Sequence, residues 1–314
     1  MWAAVLAAMS TLLLAGAAAP HHAGPAGLCN GPDGNIWFAE REGDRIGRIT
    51  PSGIIREFSK GISPGSAPAD VTSGPDGKIW FVELRGDRIG RISVRGVVTE
   101  FSKGITHGAA PTSITDAPDG NIWFTESGTD RIGRISIEGK ITEYGGLTRG
   151  SSPQRITVGP DNQLWFAERH GGIGRISLSG RVREFRRGIA PQSEPADLSR
   201  GGDGAIWFTQ SRGDQIARLS MNGAVREFGV SRGSEPAGIT LAHDGTLWFT
   251  EAHANRVAHI TLRGKITEFT TGIAPNAGLS DITAGKHGSM WFTQERADRI
   301  GRIDRQGHVT EFAL

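Results

Sequence analysis

The sequence predicts an all-β fold, a seven-bladed β-propeller built from four-stranded antiparallel blades. The main observation is a Trp-Phe pair that recurs with spacings of 43, 43, 42, 42, 41 and 43 residues. A repeat of about 40 to 45 residues is typical of propeller blades, which bury their faces only against neighbouring blades. Glycine supplies 46 of the 314 residues, about twice the usual ~7%, as expected for a chain with frequent turns. The pairs begin at Trp37, Trp80, Trp123, Trp165, Trp207, Trp248 and Trp291.

The third copy shows the predicted strands of one repeat. Residues 111–115 form a short strand, and residues 117–120 place proline and glycine where a tight turn favours them. A second strand follows at 121–126, a third with alternating residues at 131–136, and a fourth at 140–144. Because the repeats begin on a first strand and stop on a fourth, we expect the ring to close between complete blades, without an exchanged strand.

Two sets of repeated residues predict how the blades are held together. Neighbouring residues of a strand point to opposite faces, so each Trp and Phe should enter the two interfaces that flank its blade. A carboxylate or amide stands three residues after each Trp, and arginines follow it, which favours bonds from the glutamate to an arginine or to the backbone that tie the strands together. We interpret both sets as structural because every copy carries them. The second set is Glu40, Glu83, Glu126, Glu168, Gln210, Glu251 and Gln294.

The amino-terminal segment predicts export. Residues 1–19 contain a short apolar run and end in three alanines, which is the pattern of a cleaved signal peptide. The apolar run is shorter than a membrane-spanning helix requires. We expect residues 20–24 to be a short linker, residues 25–314 to be the propeller, and the mature protein to reside in the periplasm or outside the cell.

Composition restricts the partners. The chain has 35 basic and 33 acidic residues spread over all repeats, and the net charge of +2 predicts no nucleic-acid partner. Cys29 is the only cysteine, which excludes an internal disulfide and a cysteine-based zinc site. A monomer is the favoured oligomeric state.

Function is expected where the copies differ, and they differ most at the starts of the first strands. In a propeller these residues surround the central channel, which is a common ligand mouth. The charged candidates there are Asp70, Arg155, Asp197 and Asp281.

The sixth repeat carries the candidates for a metal site. Glu235 precedes its first strand and Glu251 ends its second strand, so the two carboxylates could share a hard cation such as Mg²⁺. His253 follows two residues after Glu251 and is the histidine best placed to act as a base or a ligand.

Each copy contains versions of four motifs: Pro-x-x-Ile-Thr, Gly-Pro-Asp-Gly-Asn-Ile-Trp-Phe-Thr-Glu, Arg-Ile-Gly-Arg-Ile and Gly-Lys-Ile-Thr-Glu-Phe. This unit resembles the streptogramin B lyase family, also called virginiamycin B lyases, and the resemblance extends from residue 25 to residue 312. It implies a seven-bladed propeller that opens cyclic depsipeptide antibiotics by magnesium-assisted β-elimination. That chemistry uses a cation to polarise the ester carbonyl and a histidine to remove the α-proton.

The resemblance also implies which positions should carry the chemistry. The family has histidines near the first-strand starts of blades six and seven, and a glutamate at the end of the seventh Trp-Phe strand. This chain has Ala237 and Ser280 at the histidine positions, while Glu295 matches the glutamate. If the chain is a lyase, His253 or Asp281 has to replace the missing base, and Glu235, Glu251 and Glu295 are the cation candidates.

Three hypotheses for function remain open. The first is an exported lyase-like propeller that binds, or acts on, a small molecule or cyclic peptide at its central mouth. The second is a non-catalytic binding or scaffold propeller. The third is a lactonase-like metal hydrolase, for which Asp70, Asp197 and Asp281 are the basis.

Overall fold

The computed structural model describes residues 22–314, so the predicted signal peptide at 1–19 lies outside the described residues. The described chain forms seven four-stranded sheets, and each sheet contains four consecutive antiparallel strands. The first strands of neighbouring blades contact one another around the whole ring, including blade 7 with blade 1. The predicted seven-bladed propeller is therefore confirmed, and in residues 22–314 the ring closes without an exchanged strand.

The strands follow the chain in order. Blade 1 contains β1 Pro25–Asn30, β2 Ile36–Glu40, β3 Arg45–Ile49 and β4 Ile55–Phe58. Blade 2 contains β5 Pro68–Ser73, β6 Ile79–Glu83, β7 Arg88–Ile92 and β8 Val98–Phe101. Blade 3 contains β9 Pro111–Asp116, β10 Ile122–Glu126, β11 Arg131–Ile135 and β12 Ile141–Tyr144. Blade 4 contains β13 Pro153–Val158, β14 Leu164–Glu168, β15 Gly172–Ile176 and β16 Val182–Phe185.

Blade 5 contains β17 Pro195–Arg200, β18 Ile206–Gln210, β19 Gln215–Leu219 and β20 Val225–Gly229. Blade 6 contains β21 Pro236–Leu241, β22 Leu247–Glu251, β23 Arg256–Ile260 and β24 Ile266–Phe269. Blade 7 contains β25 Leu279–Ala284, a short 3-10 turn Lys286–Gly288, β26 Met290–Gln294, β27 Arg299–Ile303 and β28 Val309–Ala313.

The Trp-Phe pairs fill the interfaces between blades, as predicted. Trp37 of blade 1 belongs to the same buried cluster as Phe81 of blade 2, whereas Phe38 packs with Trp291 across the closing interface. Trp37 also stacks on Phe58 of its own blade, with ring centroids 5.5 Å apart. Each blade therefore sends its Trp toward the next blade and its Phe toward the previous one.

The Glu/Gln ring at the ends of the second strands is completely buried, with all seven residues 0% exposed. Some of its members form the predicted ion pairs with arginines, such as Glu40 with Arg45 at 2.8 Å. Each member also lies beside a glutamate of the fourth strand. In blades 5 and 7 the amide of the ring glutamine donates a hydrogen bond to that glutamate, at 3.1 Å for Gln210 and 2.8 Å for Gln294.

Burial dominates the titration of the ring glutamates. It raises the pKa of Glu40 and Glu83 to about 8, with the neighbouring fourth-strand glutamates adding to the effect and the arginines opposing it. The same causes raise the pKa of Glu168 to about 8 and that of Glu126 to about 7. These groups are therefore neutral acids over part of the physiological pH range, and a neutral acid can donate a hydrogen bond as a glutamine does.

An aspartate at the start of the third strand holds the chain that enters the next blade. Asp44 accepts hydrogen bonds from the backbone N–H groups of Gly65 and Ala67 at 2.6 and 2.9 Å. Asp298 of blade 7 does the same for Ala23 and Gly24, at 2.9 Å each. Residues 22–24, which we expected to belong to a linker, are thus docked on blade 7 and help to close the ring. Within residues 22–314, no helix has the length and apolar character needed to cross a bilayer.

Candidate functional site

One end of the central channel is lined by the second residue of every first strand. These residues surround a cavity of about 170 Å³, and four of the seven are alanines. These seven residues present small apolar groups with one amide and two hydroxyls, and Arg41, Arg155 and Asp197 also line the cavity. The set is Ala26, Ala69, Thr112, Gln154, Ala196, Ala237 and Ser280.

Arg155 lies below the mouth and joins three aspartates from three other blades. Its guanidinium is 2.7 Å from Asp70 and 3.5 Å from Asp197, and it also pairs with Asp281. The Arg155 side chain is 21% exposed and each carboxylate is nearly buried. The charged candidates of the sequence thus form one network, in which the aspartates face an internal cation.

The same aspartates satisfy backbone groups that a sheet leaves unpaired. Each first strand has a register irregularity near its start, where residues leave the ladder with the second strand. The N–H of the fourth residue in each first strand then needs another acceptor. Each aspartate accepts its own strand's N–H and that of the following blade, and Ser113 supplies the remaining acceptor.

Asp281 accepts from Leu28 at 3.0 Å and from Ile282 at 2.8 Å, and Asp70 accepts from Val71 at 2.9 Å and from Ile114 at 3.1 Å. Asp197 accepts from Leu198 at 2.7 Å and from Ile239 at 2.9 Å. The Ser113 hydroxyl accepts from Ile156 at 3.3 Å. All seven N–H groups are therefore satisfied by three aspartates and one serine.

Three buried carboxylates share one guanidinium, and this excess of negative charge affects their pKa values. Burial raises the pKa of Asp197 to about 7, against the attraction of Arg155 and with added repulsion from Asp281. Burial likewise raises the pKa of Asp281, with Arg155 again opposing. Burial alone would lower the pKa of Arg155, but the three carboxylates raise it well above its usual value. The network is thus held by charge pairing, and burial makes Asp197 and Asp281 easier to protonate than a solvated aspartate.

The two candidate bases lie in different environments. Asp281 is 6% exposed, and its oxygens are engaged by Leu28, Ile282 and Arg155. His253 is exposed in the turn after β22, where its backbone N–H donates to the Ser234 carbonyl at 3.2 Å. No hydrogen bond within the described chain joins His253 to Asp281, and neither belongs to the seven residues around the mouth.

The three candidate magnesium ligands are engaged separately. Glu251 is buried with one oxygen 2.6 Å from Arg256 Nε, and Glu295 pairs with Arg41 of blade 1 at 3.2 Å. Glu235 is exposed. Over residues 22–314, no three His, Cys, Asp or Glu side chains form a group suited to a metal ion. The structure does not bring these glutamates together, so we derive no chemical step through magnesium, and magnesium binding stays a prediction.

Sequence reasoning located the charged candidates but missed their pairing and the role of Ser113. It also passed over Gly27 and Gly238 at the third position of their strands. A Cβ at Gly27 would lie 2.1 Å from Asp70 Oδ1, and one at Gly238 would lie 2.7 Å from the Ser280 carbonyl. The available signal was the order of the third residues around the ring, because Gly27, Arg155 and Gly238, which offer no acceptor, each follow a blade that carries an aspartate or serine at this position.

The fold is a seven-bladed propeller whose channel is lined at one end by small residues and contains Arg155 paired with three aspartates. The sequence profile of the virginiamycin B lyase family matches residues 15–187 and 150–314. The chain belongs to this family.

Solved structures agree with that assignment. A streptogramin B lyase structure is 33% identical, covers 93% of this chain and 94% of its own, and superposes with a TM-score of 0.84. The virginiamycin B lyase of Staphylococcus aureus is 35% identical, covers 90% of this chain and 95% of its own, and also gives 0.84. A catalytically inactive histidine-to-alanine variant of that enzyme was solved with quinupristin.

More distant similarity concerns the fold alone. A gluconolactonase from Xanthomonas campestris is 16% identical, covers 72% of this chain and 82% of its own, and has a TM-score of 0.56. A search of curated protein sequences found no match.

Proposed function

We propose that this chain is a binding propeller of the virginiamycin B lyase family, which holds a cyclic peptide or a similar small molecule at its central mouth without eliminating it. The observation that carries the proposal is the composition of the mouth. Every blade contributes an alanine, threonine, glutamine or serine there, and the positions of the family's histidines hold Ala237 and Ser280. Asp197 is the carboxylate among the described lining residues, and it accepts two backbone N–H groups and faces Arg155. An alanine cannot take a proton, and a general base typically contributes a factor of ~10² to 10⁴ to the rate.

The size and chemistry of the mouth support partial insertion of a larger ligand. Its cavity of about 170 Å³ is smaller than the ~300 to 1,000 Å³ of pockets that enclose a whole drug-sized molecule. One side chain or one residue of a cyclic peptide would enter the alanine-lined collar, and the rest would lie on the rim. Gln154 and Thr112 offer polar groups at that rim.

The lactonase-like hypothesis has weaker support. Its basis was a cluster of three aspartates, and here Asp70, Asp197 and Asp281 surround the guanidinium of Arg155 and accept backbone N–H groups. A metal ion at that position would have to displace a paired cation. We also propose that residues 1–19 direct export, which cleavage mapping of the protein from the cell envelope or medium would test.

Binding is tested by calorimetric titration of quinupristin into the full chain. We expect saturable binding that is lost in Ala237→Trp, since an indole would fill the collar. The matched control is Met221→Trp, in the turn between β19 and β20, where the methionine is 38% exposed and does not line the cavity. Equal binding by both variants, or no heat from the unaltered protein with quinupristin and with related cyclic depsipeptides, would refute a ligand mouth.

A further inference from the structure

A second cavity lies at the other end of the blades, in the interface where blade 7 meets blade 1. It has a volume of about 300 Å³, and its lining combines Arg302, Lys286 and Ser289 with the apolar side chains of Ile36, Pro51 and Trp291. It shares no residue with the mouth at the other end of the channel. This volume falls at the lower limit of ordinary small-molecule pockets.

Blades 1 to 5 show what normally occupies the corresponding turn. In blade 1, one carboxylate oxygen of Asp33 accepts the Trp37 indole N–H at 3.0 Å, and the other pairs with Arg48 at 3.3 Å. The same aspartate bridges tryptophan and arginine in the next four blades. The distance from the carboxylate to the arginine is 3.5 Å for Asp76, 3.9 Å for Asp119, 2.8 Å for Asp161 and 2.6 Å for Asp203.

Blade 7 lacks this aspartate. Its turn reads Gly285-Lys286-His287-Gly288, so that a histidine stands at the aspartate's position and a lysine at the proline's. Arg302 and Trp291 are still present, and the guanidinium still lies over the indole at 5.5 Å from the ring centroid. Among residues 22–314, Arg302 forms no ion pair with a carboxylate, and its described hydrogen bond goes to the Pro51 carbonyl at 2.8 Å. No carboxylate of the described chain therefore takes the aspartate's place beside Arg302.

Other charges around the cavity do not replace that carboxylate. Asp304 also lines it, but its oxygens accept the backbone N–H groups of Gln306 and His308 and contact the His308 ring at 2.9 Å. Lys286 is exposed, and a Cβ built on Gly34 of blade 1 would lie 2.6 Å from its Nζ, so the ammonium reaches across the interface. The arginine and lysine therefore give this cavity an excess of positive charge.

We propose that the interface between blades 7 and 1 binds a small organic carboxylate, whose carboxyl group takes the place that an aspartate fills in blades 1 to 5. One oxygen would accept from Arg302 and the other from the Trp291 indole, with Lys286 adding charge. Ile36 and Pro51 would contact the apolar body of the ligand. A carboxylate is the expected class because the carboxylate of an aspartate occupies this place between tryptophan and arginine in blade 1 and its equivalents.

The probe is sodium benzoate, titrated calorimetrically into the full chain at ionic strength matched with sodium chloride. We expect saturable binding to the unaltered protein and binding about tenfold or more weaker in Arg302→Gln, since a charged hydrogen bond is removed. Arg48→Gln removes the equivalent arginine of blade 1 and should bind benzoate like the unaltered protein.

His287→Asp is the decisive variant because it restores the turn of blades 1 to 5. The new carboxylate should pair with Arg302, abolish benzoate binding and raise the melting temperature without ligand. The proposal is overturned if the unaltered protein shows no saturable benzoate binding, if His287→Asp binds benzoate equally well, or if inorganic phosphate binds more tightly than benzoate. Quinupristin binding at the mouth is unaffected in either case, so the two proposals fail separately.

Discussion

Replacing Glu83 by glutamine should stabilise the protein, and increasingly so as the pH rises. Glu83 is 0% exposed, lies beside Glu100, and is 3.7 Å from Arg88. Burial raises its pKa to about 8 from the ordinary value of 4.5. The chain already carries the proposed residue in blades 5 and 7, where the glutamine amide donates to the fourth-strand glutamate. Glutamine at position 83 should donate to Glu100 in the same way.

The size of this stabilisation follows from the proton that Glu83 keeps in the folded protein. Between pH 4.5 and 8 the unfolded chain releases this proton and the folded protein keeps it, so stability falls as pH rises through that window. One pKa unit corresponds to 1.36 kcal/mol, which gives at most about 3 kcal/mol at pH 7. Glu83→Gln removes that loss. For a chain of this size, about 3 kcal/mol corresponds to a rise of about 5 °C in melting temperature.

The assay is urea unfolding and thermal melting of both proteins from pH 5 to pH 8. The difference in unfolding free energy should be small at pH 5 and should grow toward pH 8. Gln294→Glu is the matched reverse variant, which should lose stability over the same window. If the gain in unfolding free energy from Glu83→Gln does not change with pH, or if the variant is less stable than the unaltered protein at pH 8, Glu83 is not protonated in the folded protein.

Three further predictions concern the channel, the closure and the metal. Arg155→Met leaves three aspartates without their cation and should lower the free energy of unfolding by about 3 to 5 kcal/mol at pH 8. Part of that loss should be recovered at pH 5, where Asp197 is protonated. Urea unfolding at both pH values measures the loss, and an equal loss at both would contradict the prediction. Asp298→Ala removes the acceptor of the Ala23 and Gly24 N–H groups and should cost about 1 to 3 kcal/mol, with faster hydrogen exchange at those two amides than Asp44→Ala causes. Magnesium binding, expected from the sequence, is tested by melting in magnesium, calcium and sodium chloride at equal ionic strength. A saturable rise in melting temperature specific to magnesium would support the cation site. The absence of such a rise, which the pairing of Glu251 and Glu295 with arginines favours, would contradict it.

The periodic part of the structure could be predicted from the sequence. A Trp-Phe pair in every repeat fixes the number of blades, and the opposite directions of Trp37 and Phe38 follow from strand geometry. Complete final strands also predicted the closure. What the pattern did not reveal was the docking of residues 22–24 on Asp298, because that contact joins the two ends of the chain.

The candidate site was predicted less completely, for physical reasons. Proximity of Glu235 and Glu251 in the repeat does not determine where their carboxylates point, and Arg256 takes the buried one. Asp70 and Asp281 meet Arg155 only because the ring brings distant first strands together. Such pairings depend on the three-dimensional closure, which a single repeat cannot indicate.

The proposal that the mouth binds a ligand without eliminating it is tested most directly by product analysis. The purified full chain is incubated at high concentration with quinupristin and magnesium chloride, and the antibiotic is followed by liquid chromatography with tandem mass spectrometry. We predict that quinupristin is recovered with its retention time and fragmentation unchanged. A ring-opened product of the same mass with a new double bond would contradict the account, and a product heavier by one water would support hydrolysis instead.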